Sequence, residues 1–187
     1  MQNTRREEQE EHLFDIVNQL NQGRGLITEG AERDELAELN LRAGQKAKSA
    51  AAYEPAFRYL QVGLGLLGPA GDGWQRRYAL ALALHVQAAE AAYLCGDFEQ
   101  MEGLADAVLE RAETLLDKVK VYEVKIQAYI AQAKLAEAVK TGLHVLRLLG
   151  VRLPQKPGRL HIMLALLRTR LDLAGKRTED LVNLPHM

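Results

Sequence analysis

The 187-residue chain has one cysteine, Cys95, so no internal disulfide can form, and a reduced, cytoplasmic setting is expected. Aromatic residues make up only 5% and β-branched residues are sparse, which argues against a sheet protein. No excess of either charge is present. Twenty-four basic residues face twenty-five acidic ones, for a net charge of −1, so the strong basic surplus of a dedicated nucleic-acid binder is missing. No apolar run approaches the roughly 20 residues that span a bilayer. The mixed-charge opening with Arg5, Arg6, Glu7, Glu8, Glu10 and Glu11 does not read as a secretory signal.

What the chain does have is leucine and alanine, 58 residues together, both good helix formers. Small residues recur at fixed spacing. Gly44, Ala89 and Ile126 align; twelve residues on come Ala56, Met101 and Ala138; seven further come Gly63, Val108 and Val145. This spacing predicts an all-α, tetratricopeptide-like right-handed solenoid of antiparallel helical hairpins, degenerate in sequence. The turn of the middle unit is Cys95-Gly96-Asp97-Phe98-Glu99-Gln100.

Three regions follow. Residues 1–31 form a polar segment and a linker helix whose apolar face is Leu13, Ile16, Val17 and Leu20, ending near Gly23 and Gly25. Residues 32–150 hold three hairpins. The first shows Leu36, Leu39, Ala43 and Ala47, then Ala56, Tyr59, Leu60, Gly63 and Leu67, with Pro55 in the first turn of its second helix. The glycine-rich stretch 68–73 breaks the helix and lengthens the repeat spacing there. The second hairpin starts near Trp74, and Asp117 is the expected cap of the next helix. The third shows Tyr122, Ile126, Tyr129 and Ala133, then Ala138, Gly142, Val145 and Leu149, and Gly150 ends it. Residues 151–187 form a basic C-terminal helix and the start of an incomplete further repeat. Because a solenoid normally ends in a polar cap, this ending reads as part of something longer, with an open edge that could drive self-association.

Chemistry is hard to place. There is no Walker A pattern, and the run Gly63-Leu64-Gly65-Leu66-Leu67-Gly68 follows a helix where a dinucleotide cradle needs a strand; close packing explains Gly63 and helix termination Gly68. His12, His85, His144, His161 and His186 never fall at i, i+3 or i, i+4, so no metal site is expected. His85 and His144 read as partly buried or groove-edge residues. Cys95, at the C-terminal end of a helix, reads as a packed structural thiol, not as a nucleophile. No catalytic carboxylate pair stands out. The chain is therefore expected to be non-enzymatic, with no cofactor.

Two candidate surfaces remain. If the first helix of each hairpin lines a concave side, that side presents Arg42, Gln45 and Lys48; then Gln87, Glu90 and Tyr93; then Lys120, Glu123 and Gln127. This mixture suits a peptide or a neighbouring domain. The second is the basic stretch with Arg159, Arg168, Arg170, Lys176 and Arg177, beside Leu160, Ile162, Met163, Leu164, Leu166 and Leu167. A final packing helix with solvated charges is its plainer reading, and an anionic membrane or acidic partner surface its sharper one.

Several strings taken together point to a family. They are Phe14-Asp15-Ile16-Val17-Asn18-Gln19-Leu20-Asn21, Glu32-Arg33-Asp34-Glu35-Leu36-Ala37-Glu38-Leu39-Asn40, Ala43-Gly44-Gln45-Lys46-Ala47-Lys48, Lys118-Val119-Lys120-Val121-Tyr122-Glu123 and Gly142-Leu143-His144-Val145-Leu146. From about His12 onward the chain resembles the helical-repeat region of bacterial, especially cyanobacterial, multi-sensor signal-transduction kinases. Those proteins fuse a serine/threonine kinase, a STAND-type ATPase, the repeats, a GAF domain and a histidine kinase. No kinase glycine loop, His-Arg-Asp loop or phospho-accepting histidine box is present, so no catalytic residue carries over. The resemblance implies a regulatory arm whose partners are the neighbouring kinase and ATPase domains or another protein, with nucleic acid not expected and a membrane disfavoured. A free-standing adaptor is the alternative.

Overall fold

The computed structural model describes residues 2–68, 72–151, 153 and 158–173, and the side chains among them from His12 onward except those at 159–161, 165, 172 and 173. All regular structure among these is helical. The chain divides into two compact units, Met1–Gly150 and Val151–Met187.

The first unit holds α1 (Gln2–Gln22), a 3-10 turn (Arg24–Leu26), α2 (Gly30–Ser49), α3 (Tyr53–Leu66), α4 (Asp72–Arg76), α5 (Tyr78–Leu94), α6 (Phe98–Arg111), α7 (Leu115–Ala131) and α8 (Leu135–Leu148). Helices adjacent in the chain pack together: α2 on α3, α5 on α6, α7 on α8. First helices also meet first helices, α2 with α5 and α5 with α7. α5 is the centre of this network and is apolar on nearly every side. It buries Leu80, Ala81, Leu84, Ala88, Ala89, Ala91 and Ala92.

The same turn closes all three pairs. The amides of Ala51, Gly96 and Ala133 bond carbonyls three residues back at 2.9–3.0 Å, and those of Ala52, Asp97 and Lys134 reach five residues back at 2.8–2.9 Å. These are the two hydrogen bonds of a left-handed helix C-cap. Ala51, Gly96 and Ala133 have φ of 58°, 78° and 58°. They stand seven residues after Gly44, Ala89 and Ile126, so the register read from small residues is also the register of the backbone. Only Gly96 advertises the turn in sequence, because the other two carry alanine where glycine costs less.

The aligned positions are contact positions. A Cβ on Gly44 would lie 2.6 Å from Leu60 Cγ, and one on Gly63 would lie 2.7 Å from Leu84 Cδ2, so both glycines let helices approach where any side chain would collide. Ala56, Met101, Ala89 and Val108 are fully buried, and Ala138 and Val145 nearly so. Gly68 and Gly150 end α3 and α8 at φ of 91° and 86°.

Several expectations need correction. The linker helix turns Val17 inward with Phe14 and Leu13 half-buried, while Ile16 and Leu20 are 49% and 42% exposed. Its interface is instead polar: Asn21 and the fully buried Asn40 exchange amide hydrogen bonds at 2.8 and 2.9 Å, and Asn40 also donates to the Leu36 carbonyl. Tyr59 donates to Asn18 and stacks on Phe14. Before the second hairpin stands α4, an extra short helix; its buried Trp74 packs against Tyr78 and His85, and the hairpin proper begins at Tyr78. Thr114, not Asp117, is the cap of α7. The two form a reciprocal capping box with Asp117 at its third position. In the third hairpin Ala133 lies exposed in the turn and Leu149 is 44% exposed; the buried face of α7 is Val121, Val124 and Ala128. Cys95 is exposed, not packed.

The second unit contains α9 (Arg159–Leu173). Residues 174–187, where the start of a further repeat is expected, lie outside the described residues.

Candidate partner-binding groove

The first helices of the three pairs, α2, α5 and α7, bring most of the expected groove residues together. Gln87 and Glu90 from α5 and Lys120, Glu123 and Gln127 from α7 line one hollow of about 250 Å³, floored by Val86 and Val124. Lys48 of α2 reaches the same face and pairs with Glu90 at 2.5 Å. Lys120 and Glu123 pair more loosely at 3.7 Å along α7. Charges of both signs alternate across the surface.

Arg42 lies in a neighbouring hollow of about 570 Å³ between α2 and α5, with an apolar floor of Leu41, Ala79, Leu80 and Ala83. Gln45 is exposed on α2, three residues beyond Arg42. Tyr93 departs from expectation: it is half-buried and packs against the core, so its ring serves α5 more than a ligand.

Sequence reasoning missed four residues of this face: Glu38, Arg76, Arg77 and Tyr78. Arg77 pairs with Glu38, and Arg76 bonds the buried Asp34 carboxylate at 2.6 Å. The pair Arg76-Arg77, set between the glycine-rich stretch and the apolar start of α5, was the available signal. Tyr78 ties α5 to the start of α7: its hydroxyl donates to Asp117 at 2.7 Å and accepts from the Glu113 amide at 2.9 Å. The Tyr78 hydrogen bond, then those from Thr114, hold the Asp117 carboxyl below its ordinary range. Lys125 behaves similarly at the α6–α7 contact. Desolvation opposes its charge, but Asp106 at 3.0 Å outweighs that and raises the ammonium's pKa.

Desolvation pushes the Cys95 thiol up, with Glu54 and Asp97 adding to the effect, so thiolate is disfavoured. His85 is half-buried with Nδ1 2.7 Å from the Ala81 carbonyl and is driven toward its neutral form by desolvation. His144 is exposed, edge-on to Tyr122. Among the described residues, no group of three His, Cys, Asp or Glu side chains could hold a metal ion, and no helix is long and apolar enough to cross a membrane.

Of the second expected surface, the structure describes the side chains of Arg168 and Arg170. Arg168 and Arg170 are exposed on α9, but two helical positions separate side chains by roughly 200°, so they point to opposite sides. Exposed Ile162, Met163, Leu164, Leu166, Leu167 and Leu171 are spread around the same helix. The Arg159 side chain, Lys176 and Arg177 lie outside the described residues.

Among the described residues these features define an all-helical structure with a polar hollow between α5 and α7, and the comparisons with known proteins point to a signalling context. No protein-family model matches the chain, and no solved structure matches it. Over 147 residues it is 26% identical to hybrid signal transduction histidine kinase G of Dictyostelium discoideum, a match that covers 75% of this chain. The chain spans only 4% of that protein's length. It is thus a distant relative of one region of a signal-transduction kinase.

Proposed function

We propose that the chain is a tetratricopeptide-like, non-catalytic interaction module of a signalling kinase, with the face of α2, α5 and α7 as its binding groove. The observation that carries this reading is the single hollow lined by Gln87, Glu90, Lys120, Glu123 and Gln127, joined through Lys48 to α2. The thrice-repeated turn and the packing of first helix on first helix support the repeat assignment. The distant match to a histidine kinase supports the signalling role. A groove of alternating charge over an apolar floor suits an extended peptide or a neighbouring domain presenting both kinds of group. The bacterial multi-sensor architecture with a STAND-type ATPase belongs to this proposal. In it, the repeats act by binding one conformation of the adjoining domains better than another.

A peptide library displayed on phage tests the groove. Selection on the native chain is expected to enrich binders that lose affinity for an Arg42→Glu/Lys120→Glu variant of unchanged helicity. Failure to enrich any binder, or binders indifferent to both substitutions, overturns the groove. Turnover of ATP by the purified chain would contradict the non-catalytic reading.

A further inference from the structure

The hollow between the 3-10 turn, α2 and α3 is unlike the groove. Its volume is about 650 Å³, and its lining includes Arg24, Arg33, Arg58 and Gln61, with Val62 and Leu66 on one side. It shares no lining residue with the hollows on the α2–α5–α7 face. Among the described residues no carboxylate lines it.

The three arginines come from three separate segments, and all are exposed. Among the described residues none of their side chains has an ion-pair or hydrogen-bond partner, whereas those of Arg76, Arg77, Arg111, Lys48 and Lys125 each meet a carboxylate. In a chain with one more acid than base, three unanswered cations around one cavity are an uneven use of charge. Their mutual repulsion is relieved by a multivalent anion, and the guanidinium fork matches phosphate oxygens in pairs. The volume falls in the range of small-molecule sites. Val62 and Leu66, one helical turn apart, add an apolar wall. Gly65 on the same helix leaves open space, since a Cβ there meets nothing within 4 Å.

We infer that this hollow binds a small anion of diphosphate chemistry, held by Arg24, Arg33 and Arg58. The inference goes beyond the groove and does not rest on it. Two sources share the chemistry, a free diphosphate and a nucleoside diphosphate. The nucleotide gains further contact with Val62 and Leu66.

Calorimetric titration of the whole chain with inorganic pyrophosphate and with ADP, at about 150 mM salt where surface charge is screened, tests it. Saturable one-to-one binding of at least one is expected. Arg24→Ala, Arg33→Ala and Arg58→Ala should each weaken it about tenfold, the loss expected for one charge-assisted hydrogen bond. Gly65→Leu should block the hollow without unfolding the chain, because leucine is the better helix former and has space to occupy. ADP binding more tightly than pyrophosphate assigns the nucleotide, and equal affinity assigns the free diphosphate. Absence of heat with both probes, or binding that all four variants leave unchanged, overturns the inference. Selected groove peptides should bind the Gly65→Leu variant normally, so failure here is distinguishable from failure of the groove.

Discussion

The second and third hairpins are the same object built twice with different neighbours. α5 and α7 are each 17 residues long, α6 and α8 each 14, and one turn geometry joins both pairs. Yet α6 buries Met101, Ala105 and Val108, while α8 buries only Ala138 and Val145. α8 leaves Leu135, Val139 and Leu148 at 61%, 62% and 44% exposure. Helix length and turn chemistry are therefore local properties of each hairpin, but burial is set by what stands on either side. α5 lies between α2 and α7 and is mostly apolar, with Gln87 and Glu90 meeting the groove. α7 keeps Lys120, Glu123 and Gln127 on an open face.

The sharpest way to break this comparison is to delete equivalent apolar bulk from both hairpins. Leu84→Ala removes a fully buried side chain packed at Gly63 and should cost about 2–5 kcal/mol. Leu135→Ala, at 61% exposure, should stay within about 0.5 kcal/mol. Urea denaturation measures both. Equal losses would mean that the exposed face of α8 is covered in solution. The entry helix offers an intermediate effect. Asn40→Ala strands the Asn21 amide and leaves the Leu36 carbonyl without its extra donor, for about 1–3 kcal/mol. A double-mutant cycle with Asn21→Ala should show strong coupling, because each amide is the other's partner.

The turns allow a smaller and more pointed test, since they are where the hairpins are most alike. Ala133 holds φ of 58°, a conformation that costs alanine more than glycine. Ala133→Gly should therefore stabilise the third hairpin by about 0.5–1 kcal/mol, and Gly96→Ala should destabilise the second by about the same. Thermal unfolding of the two variants should shift in opposite directions. Shifts of one sign would mean that the turns do not share a backbone conformation in solution.

How much of this was legible in sequence follows the same division. The pairing of neighbouring helices, Gly63 as a contact and Gly68 and Gly150 as helix ends could be read because small residues and glycines carry their reason locally. Gln87, Glu90, Lys120, Glu123 and Gln127 could be read as neighbours around one hollow because helical spacing projects directly into space, whereas Arg42 lines another. Asn21 and Asn40 were missed because asparagine reads as solvent-facing, and only a second asparagine nineteen residues away makes its burial tolerable. Ala51 and Ala133 were missed as turn residues because alanine does not signal a positive φ. Thr114 was passed over for Asp117, although both halves of a capping box stand three apart in the chain. Tyr93 and Cys95 exchanged places, the tyrosine packed and the thiol exposed, because the residue's rotation about α5 depends on where α6 sits.

The smallest effect separates the hairpins by their histidines. His85, in the second, packs 4.8 Å from Trp74, and desolvation lowers its pKa from the ordinary 6.5 despite the Ala81 carbonyl at Nδ1; Arg111 adds to the lowering. A base whose folded pKa is lowered binds fewer protons in the native state than in the unfolded chain as the medium becomes acid. Stability is therefore complete above pH 6.5 and falls as the pH drops through 6.5 toward the lowered folded value, beyond which this contribution is constant. His144, in the third hairpin, is exposed beside Tyr122 and lacks that burial. His85→Gln should flatten the dependence of urea midpoint on pH between about 5 and 7 while leaving it unchanged at neutral pH to within a few tenths of a unit of denaturant. A slope that His85→Gln leaves unchanged would mean that burial of this imidazole beside Trp74 does not set the acid sensitivity of the second hairpin.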